Sequence, residues 1–533
     1  METRAQAHFP PTLLAPNRIA RRRESPSGAV IERRNPAQRD DLVTVAPASD
    51  ADTVRRACEA ARVAQREWAR VAAPDRAAVI GRLALLLRER RVPLARFVAR
   101  EVGEPIREAR IGVRAAVEAA EFFHGEGRRL VGRTAPSELP ERELLAIRRP
   151  VGVVGLLTPG CCPLAIAAAK IFPAVLCGNA VVWKPSEDAP GTASILADWI
   201  AEAGLPPGVL QVVHGGGPGG AGAALVAQVA EGGVDTIAFT GSTAVGREVG
   251  AACGRALAVP ALDLSAKNPL VILADADLEA AVDGTLWAAF SGSGQRCTKI
   301  ANVIVDRRVL PLVREQLARR ARSLVIGDPR REDVEVGPMM QERHLRAYLE
   351  QRGIGVEEGA ELLLDGRRIG AVDAPAGFSG DASRGLYVGP RIFDRVKPTM
   401  RIAQEECLGP TVNLIEVGSL DEALAAATAA PYALAAALYT RDARAMLRFR
   451  DEVAVATVTI NTSTVGTEAH LPQGGNRGSG NGTRSGGVWA LDTVTRWQAV
   501  HIDYSGRFQP PRETDDGTPS TLDPGMMALG GDP

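Results

Sequence analysis

The chain has 533 residues, about three domains' worth, and is long enough to bury a large core. Apolar residues make up 45% and charged residues 24%, the balance of a globular rather than a disordered protein. Lys plus Arg and Asp plus Glu are each 63, so the chain lacks the basic excess of an electrostatic nucleic-acid binder. Aromatics are sparse and 55 residues are glycine, which predicts a core of Ala, Val, Leu and Ile with many glycine-dependent loops. The cysteines stand at 58, 161, 162, 177, 253, 297 and 407. That odd, widely spaced set fits neither a disulfide framework nor a zinc module. No metal is expected, and a reducing, cytoplasmic setting is. No apolar run reaches the roughly 18 residues of a membrane span. The stretch from Leu164 to Val182 comes nearest, and Lys170, Pro173 and Asn179 interrupt it.

Residues 1–29 are rich in Pro and Arg without periodicity and predict a loose arm. From Asp50 to Arg129 the pattern is helical, with Val54, Ala57, Ala60 and Val63, then Ile80, Leu83 and Leu87, on common faces. The rhythm then changes. Short apolar runs at 151–157, 180–183, 209–213 and 236–239 read as strands. They alternate with helical stretches at 163–176, 192–203 and 221–229. Such alternation predicts an α/β fold with a parallel sheet, helices on both faces, and ligands at the carboxyl ends of the strands. A second α/β stretch follows over 268–461, with strands at 271–273, 303–305 and 455–460 and helices at 277–290 and 311–323. Residues 494–504 alternate as a late strand, whose partner is either the 141–149 segment or another subunit. Residues 508–533 carry five prolines among Asp, Thr and Gly and predict a disordered tail.

Several segments carry chemistry. Cys297 sits in SGSGQRCT (291–298), where small neighbours favour an accessible thiol. Asp263 lies in LDLSAK (262–267), and a carboxylate near a thiol can activate water against an acyl intermediate. FTGSTAVG (239–246) is a strand entering a Gly/Ser turn before a helix, whose free N–H groups suit a pyrophosphate. WKPSE (183–187) places Lys184 and Glu187 at a strand end, where they suit sugar hydroxyls. EECLGP (405–410) and LPQGGNRGSGNG (471–482) complete the set.

In this order and at these separations, the segments resemble the NAD(P)-dependent aldehyde dehydrogenase superfamily over residues 30–505. SGQRCT, the TVGTEAHL loop at 464–471 and DYSG at 503–506 look most like the α-aminoadipic semialdehyde dehydrogenase branch. The resemblance implies a Rossmann-type dinucleotide-binding domain (30–129 and 148–264) and an α/β catalytic domain (265–470). It also implies a small β element (130–147 and 488–505) that pairs subunits of a homodimer or homotetramer. Cys297 matches the nucleophile that forms a thiohemiacetal and then a thioester, and Asp263 matches the carboxylate that helps water hydrolyse it. Lys184 and Glu187 match the adenosine-ribose ligands, Gly241 and Ser242 the pyrophosphate turn, and Glu406 the nicotinamide-ribose ligand. Thr158 falls beside the cofactor. Glu187 favours NAD over NADP, because a carboxylate repels a 2′-phosphate. Arg296 is placed to meet a substrate carboxylate, which makes a semialdehyde a candidate substrate. Thr298, Cys162, Glu468 and His470 border the substrate path.

Departures from the family fall on the chemistry. TPGCCP (158–163) puts Gly160, Cys161 and Cys162 where the family has an aromatic-Asn-aromatic triplet. The lost Asn is an oxyanion donor, worth about 10²–10³ in rate, and the thiol of Cys161 is a weak replacement. Asp263 replaces Glu, which shortens the base. Ser265-Ala266 replaces two glycines and threatens to crowd the cofactor. Three readings follow: an aldehyde dehydrogenase with altered substrate and slow chemistry, an acylating enzyme that passes the acyl group to a thiol, and an impaired dinucleotide-binding pseudoenzyme. A disulfide between Cys161 or Cys162 and Cys297 is a further expectation.

Overall fold

The computed structural model describes residues 9–466 and 468–509; the tail expected beyond 509 lies outside the described residues. Internal contacts divide the chain into a larger body, reaching to 130 and spanning 150–496, and a smaller one, 131–149 with the chain from 497.

The larger body contains two seven-stranded sheets. The first region supplies β1 (Asn17–Ile19), β2 (Arg22–Glu24), and helices α1 (Ala51–Trp68), α2 (Ala73–Glu89), α3 (Arg91–Val102) and α4 (Ile106–Glu126). There follow β3 (Val153–Leu157), α5 (Pro163–Leu176), β4 (Ala180–Lys184), α6 (Pro190–Glu202) and β5 (Leu210–Val212). Next come α7 (Ala221–Ala227), β6 (Thr236–Thr240), α8 (Thr243–Arg255) and β7 (Ala261–Asp263). The strands lie in the order β7-β6-β3-β4-β5-β1-β2. β3 to β7 are parallel. Every residue of β3 and β4 is buried, which is why these strands read as unbroken apolar runs instead of alternating ones. Strand order reverses at β3, with β4 on one side and β6 on the other. That is the topological switch point at which a ligand crevice opens beyond the carboxyl ends.

One expectation is corrected here. Residues 13–24 are not a loose arm. β1 pairs antiparallel with β5, with Val212 opposite Arg18, and turns back into β2. The strands are short and Arg-rich, and neighbouring chain supplies their pairing, so no periodicity marks them.

The second sheet is built from β8 (Asn268–Ile272), α9 (Leu278–Phe290), β9 (Ile300–Asp306), α10 (Leu310–Arg322), α11 (Glu342–Glu357), β10 (Glu361–Asp365), β11 (Arg391–Asp394), β12 (Thr411–Val417), β13 (Ala435–Tyr439) and β14 (Thr457–Ile460). Its order is β10-β11-β12-β9-β8-β13-β14, and only β10 is antiparallel to its neighbour. Side-chain caps set several helix starts. Asp50 accepts from the Thr53 amide (2.9 Å), and Asp277 from the Ala280 amide (3.1 Å).

Thr495–Asp503, Arg142–Pro150 and Arg133–Ala135 form a three-stranded sheet in that order, and residues 133–149 and 497–503 of it belong to the smaller body. The late strand therefore pairs with the 142–150 strand. Residues 488–494 fall in the larger body instead, where Trp489–Thr493 is a short helix with Ala490 and Leu491 buried. Among the described residues, no helix is long and apolar enough to cross a membrane, and no cluster of His, Cys, Asp or Glu is arranged to hold a metal.

Candidate active site

Cys297 follows a tight turn. Gly292, Ser293 and Gly294 all have φ near +60°, and a Cβ on Gly294 would collide with the Gly409 carbonyl. The small residues before the nucleophile thus serve a left-handed backbone packed on the 409 loop, more than they serve access to the thiol. Asn268, at the start of β8, holds the nucleophile loop. Its Nδ2 donates to the carbonyls of Cys297 and Lys299, both at 2.8 Å, and its Oδ1 accepts from the Ala435 amide at 3.1 Å. Thr464 donates to the Thr298 carbonyl (2.7 Å). Neither Asn268 nor Thr464 stood out in the sequence, because both act through backbone far away along the chain.

The Cys297 thiol is pushed up to about 11, by burial first and then by the charges of Glu406 and Asp263, while the amides of Cys297 and Thr298 work in the opposite direction. The resting nucleophile is therefore a thiol. Alkylation of the Cys297 peptide by iodoacetamide, without nucleotide, is expected to rise about tenfold per pH unit from pH 7 to 10. A plateau should come only near 11. Mass spectrometry of the peptide checks this, and a plateau below pH 9 would contradict it.

Cys161 and Cys162 lie on the turn entering α5. Burial raises both thiols, and the charges of Glu104 and Cys297 reach both. Cys162 itself is left-handed, with φ 45°. All seven cysteines are free, so the disulfide expectation is not met in this state.

Asp263 ends β7 and is heavily engaged. Lys170, on the third turn of α5, forms an ion pair with its Oδ2, and Ser485 donates to the same oxygen at 2.9 Å. Lys170 also donates to Ser485 at 2.7 Å. Asp263 Oδ1 remains buried without a hydrogen-bond partner among the described residues. The carboxylate is thus oriented through one oxygen and left with the other as an acceptor.

Ser265 and Ala266, which stand in place of two glycines, both have polar partners. Ser265 Oγ accepts from the Thr243 amide at the head of α8 (3.3 Å), and the Ala266 amide donates to Glu406 Oε1 (3.1 Å). Ala266 packs with Leu434 and Ala435 against Cys297.

The crevice residues sit at the switch point. Thr158 Oγ1 accepts from Trp183 Nε1 (2.9 Å), tying the ends of β3 and β4. The Gly241 amide donates to the Asp263 carbonyl (3.1 Å), and Ser242 caps α8 by accepting from the Val245 amide (3.4 Å). The Thr240 hydroxyl, just before them, is buried without a hydrogen-bond partner among the described residues. An orphaned hydroxyl beside a capped helix start, at a strand-order reversal, fits a dinucleotide phosphate. Lys184 Nζ lies 3.5 Å from Glu187 Oε2. Arg343 of α11 lies 3.4 Å from Glu187 Oε1 and 3.5 Å from Asp188 Oδ2. Burial works against the Glu187 carboxylate, yet Lys184 and Arg343 bring it below the ordinary range.

Two of the expected substrate contacts have other neighbours in this structure. Arg296, expected to meet a substrate carboxylate, is instead ion-paired with Glu108 of α4, with side chains 8% and 3% exposed. Its guanidinium also lies 5.9 Å from the Trp287 ring centre. A cation so deep in the protein needs a built-in counter-charge. The charge of the buried Glu104 also reaches Arg296. Glu108→Gln is expected to lower stability by about 3 kcal/mol, and joint replacement by Arg296→Met, Glu108→Leu and Glu104→Gln to cost less. Urea midpoints test this; equal losses would contradict it. Glu468 and His470 are 69% and 58% exposed and lie 3.4 Å from each other, on a solvated loop.

The Aldehyde dehydrogenase family matches residues 23–500. An alpha-ketoglutaric semialdehyde dehydrogenase of Bacillus subtilis (strain 168) is 34% identical over 481 residues, covering 90% of this chain and 96% of that protein. A phenylacetaldehyde dehydrogenase of Pseudomonas fluorescens is 36% identical, covering 88% and 92%. Among solved structures, an NAD-dependent aldehyde dehydrogenase from Sinorhizobium meliloti aligns with a TM-score of 0.87 at 32% identity, covering 94% of this chain and 96% of that one. An E. coli NADP-dependent enzyme aligns at 0.85 and 29%, covering 92% and 98%. With the strand-order reversal, the thiol and the carboxylate already in place, these likenesses establish that the chain belongs to the aldehyde dehydrogenase family, whose members oxidise aldehydes to acids.

Proposed function

We propose that this chain oxidises an aldehyde to its carboxylic acid with NAD, through covalent chemistry on Cys297. The observation that carries this is Asp263, oriented by Lys170 and Ser485 through Oδ2 with Oδ1 unpartnered, within electrostatic reach of a thiol held protonated. Lys184, Glu187, Gly241, Ser242 and Glu406 would hold the dinucleotide, beside Thr158. Bound NAD supplies the hydride acceptor. Cys297 Sγ adds to the carbonyl carbon and the thiol proton ends on the carbonyl oxygen, giving a thiohemiacetal. Loss of hydride and of the hydroxyl proton leaves a thioester. Asp263 Oδ1 then takes a proton from water as its oxygen attacks the acyl carbon. The C–S bond breaks, the acid leaves, and Cys297 recovers its proton. The amides of Cys297 and Thr298 are the remaining oxyanion donors, with Cys161 a weak third. Cys162 puts a short side chain beside the substrate path, whereas Gly160 is packed against Asp188 and Met340 and opens no space there.

A second reading, acyl transfer to a thiol, draws on the same engagement of Asp263, since Lys170 and Ser485 restrain the base. Purified protein, NAD and an aldehyde panel that includes semialdehydes should give NADH and acid in equal amounts. A rate that requires coenzyme A would replace hydrolysis by acyl transfer. NAD binding without any NADH would replace both by an impaired enzyme. The exposed 495–503 strand at one sheet edge supports strand pairing with a second copy, hence a homodimer or homotetramer. The free thiols suit the cytoplasm.

A further inference from the structure

The cofactor reading above rests on Glu187 as a ribose ligand, and a bare carboxylate there would exclude a 2′-phosphate. In this chain the carboxylate is not bare. Lys184 approaches one oxygen at 3.5 Å and Arg343 the other at 3.4 Å. Asp188, the next residue, has its own counter-ion: Arg33 donates to it at 3.2 Å, and its side chain is 3% exposed. Ser186 donates to its other oxygen at 3.3 Å. Lys184 and Arg343 thus both face Glu187, while Asp188 and Glu101 face Arg33.

Arg343 is the exposed member of that group. It is 59% exposed, whereas Lys184 is 7% and Arg33 9% exposed. Its contacts to Glu187 and Asp188 are long, at 3.4 and 3.5 Å. A guanidinium with two forked N–H donors and weak present partners can turn to a phosphate without breaking a buried pair. Lys184, fixed at the end of β4, can stay with Glu187 as it does so.

We infer that Arg343 is a cofactor-specificity residue, which lets the chain take NADP as well as NAD by exchanging Glu187 for the 2′-phosphate. With NAD, Arg343 stays on the Glu187 side and the carboxylate accepts from the ribose diol. With NADP, the guanidinium forks onto the phosphate while Lys184 offsets the carboxylate.

Calorimetric titration of the full chain with NADP and with NAD tests this, using the wild type, Arg343→Leu and Arg343→Lys. The wild type should bind NADP within about 100-fold of NAD. Arg343→Leu should weaken NADP by about 10–100-fold, the size of a lost charge-assisted hydrogen bond, and change NAD by less than about threefold. Arg343→Lys should restore part of the NADP affinity. Raising salt should weaken NADP more steeply than NAD in the wild type, and that difference should shrink in Arg343→Leu. NADP binding unchanged by Arg343→Leu, equal weakening of both nucleotides, or wild-type NADP binding too weak to measure would each overturn the assignment. Because binding is read without turnover, the two claims separate. Arg343-dependent NADP binding without reduction of either nucleotide would support the assignment and sink the dehydrogenase reading. Aldehyde-dependent NADH with Arg343-independent NADP binding would do the reverse.

Discussion

Replacement of Cys297 by alanine is expected to remove aldehyde-dependent NADH formation by roughly 10⁴-fold or more, as expected when a covalent nucleophile is deleted, while NAD binding stays intact. The size follows from the lack of a substitute. Cys161 and Cys162 are near enough for their charges to be felt, but burial raises both thiols. Asn268 steers the backbone of 297 and 299 and does nothing comparable for the 161–162 turn. The alanine also leaves the fold alone, since the loop is held through main-chain carbonyls and by Thr464 on residue 298. Absorbance at saturating NAD, with nucleotide binding measured on the same preparation, checks both halves. Residual activity near the wild-type rate would show that another thiol carries the reaction.

Asp263→Asn is expected to leave acylation nearly intact and to slow hydrolysis by about 10²–10⁴-fold, the usual contribution of a positioned general base. An amide still accepts from Lys170 and Ser485, so orientation survives while basicity is lost. The kinetic signature is one equivalent of NADH per active subunit in a rapid burst, then a near-stall. Wild type should show a burst followed by turnover, or no burst if acylation is slower. The substitution leaves the Lys170 cation, only 7% exposed, without its counter-charge, so a thermal midpoint must accompany the kinetics. Loss of burst and turnover together in a well-folded variant would instead place Asp263 in the first step.

How much of this was legible in the sequence differs by feature. The strands around α5 could be read because each is a short continuous apolar run, and α5 because a longer, mostly apolar stretch opens with Pro163 between two of them. The β1–β2 strands could not, because only pairing with β5 makes them strands. Cys297 and Asp263 were recognisable from their segments. The Lys170 and Ser485 partners of Asp263 were not, being 93 and 222 residues away. Arg296 shows the limit most clearly. Next to a nucleophile, a guanidinium suggests a substrate anion, and nothing local reveals that α4 already delivers Glu108 to it. Ser265 has a partner as hidden from the local sequence: its Oγ accepts from the Thr243 amide.

The most direct test of the Cys297 chemistry is to quench the wild-type protein in acid milliseconds after mixing with NAD and an aldehyde, then weigh its peptides. The expected result is an acylated Cys297 peptide, heavier by the mass of the aldehyde less two hydrogens, that appears with NADH and disappears as free acid forms. An acyl group on Cys161 or Cys162, or NADH formed with no covalent adduct at any time, would contradict it.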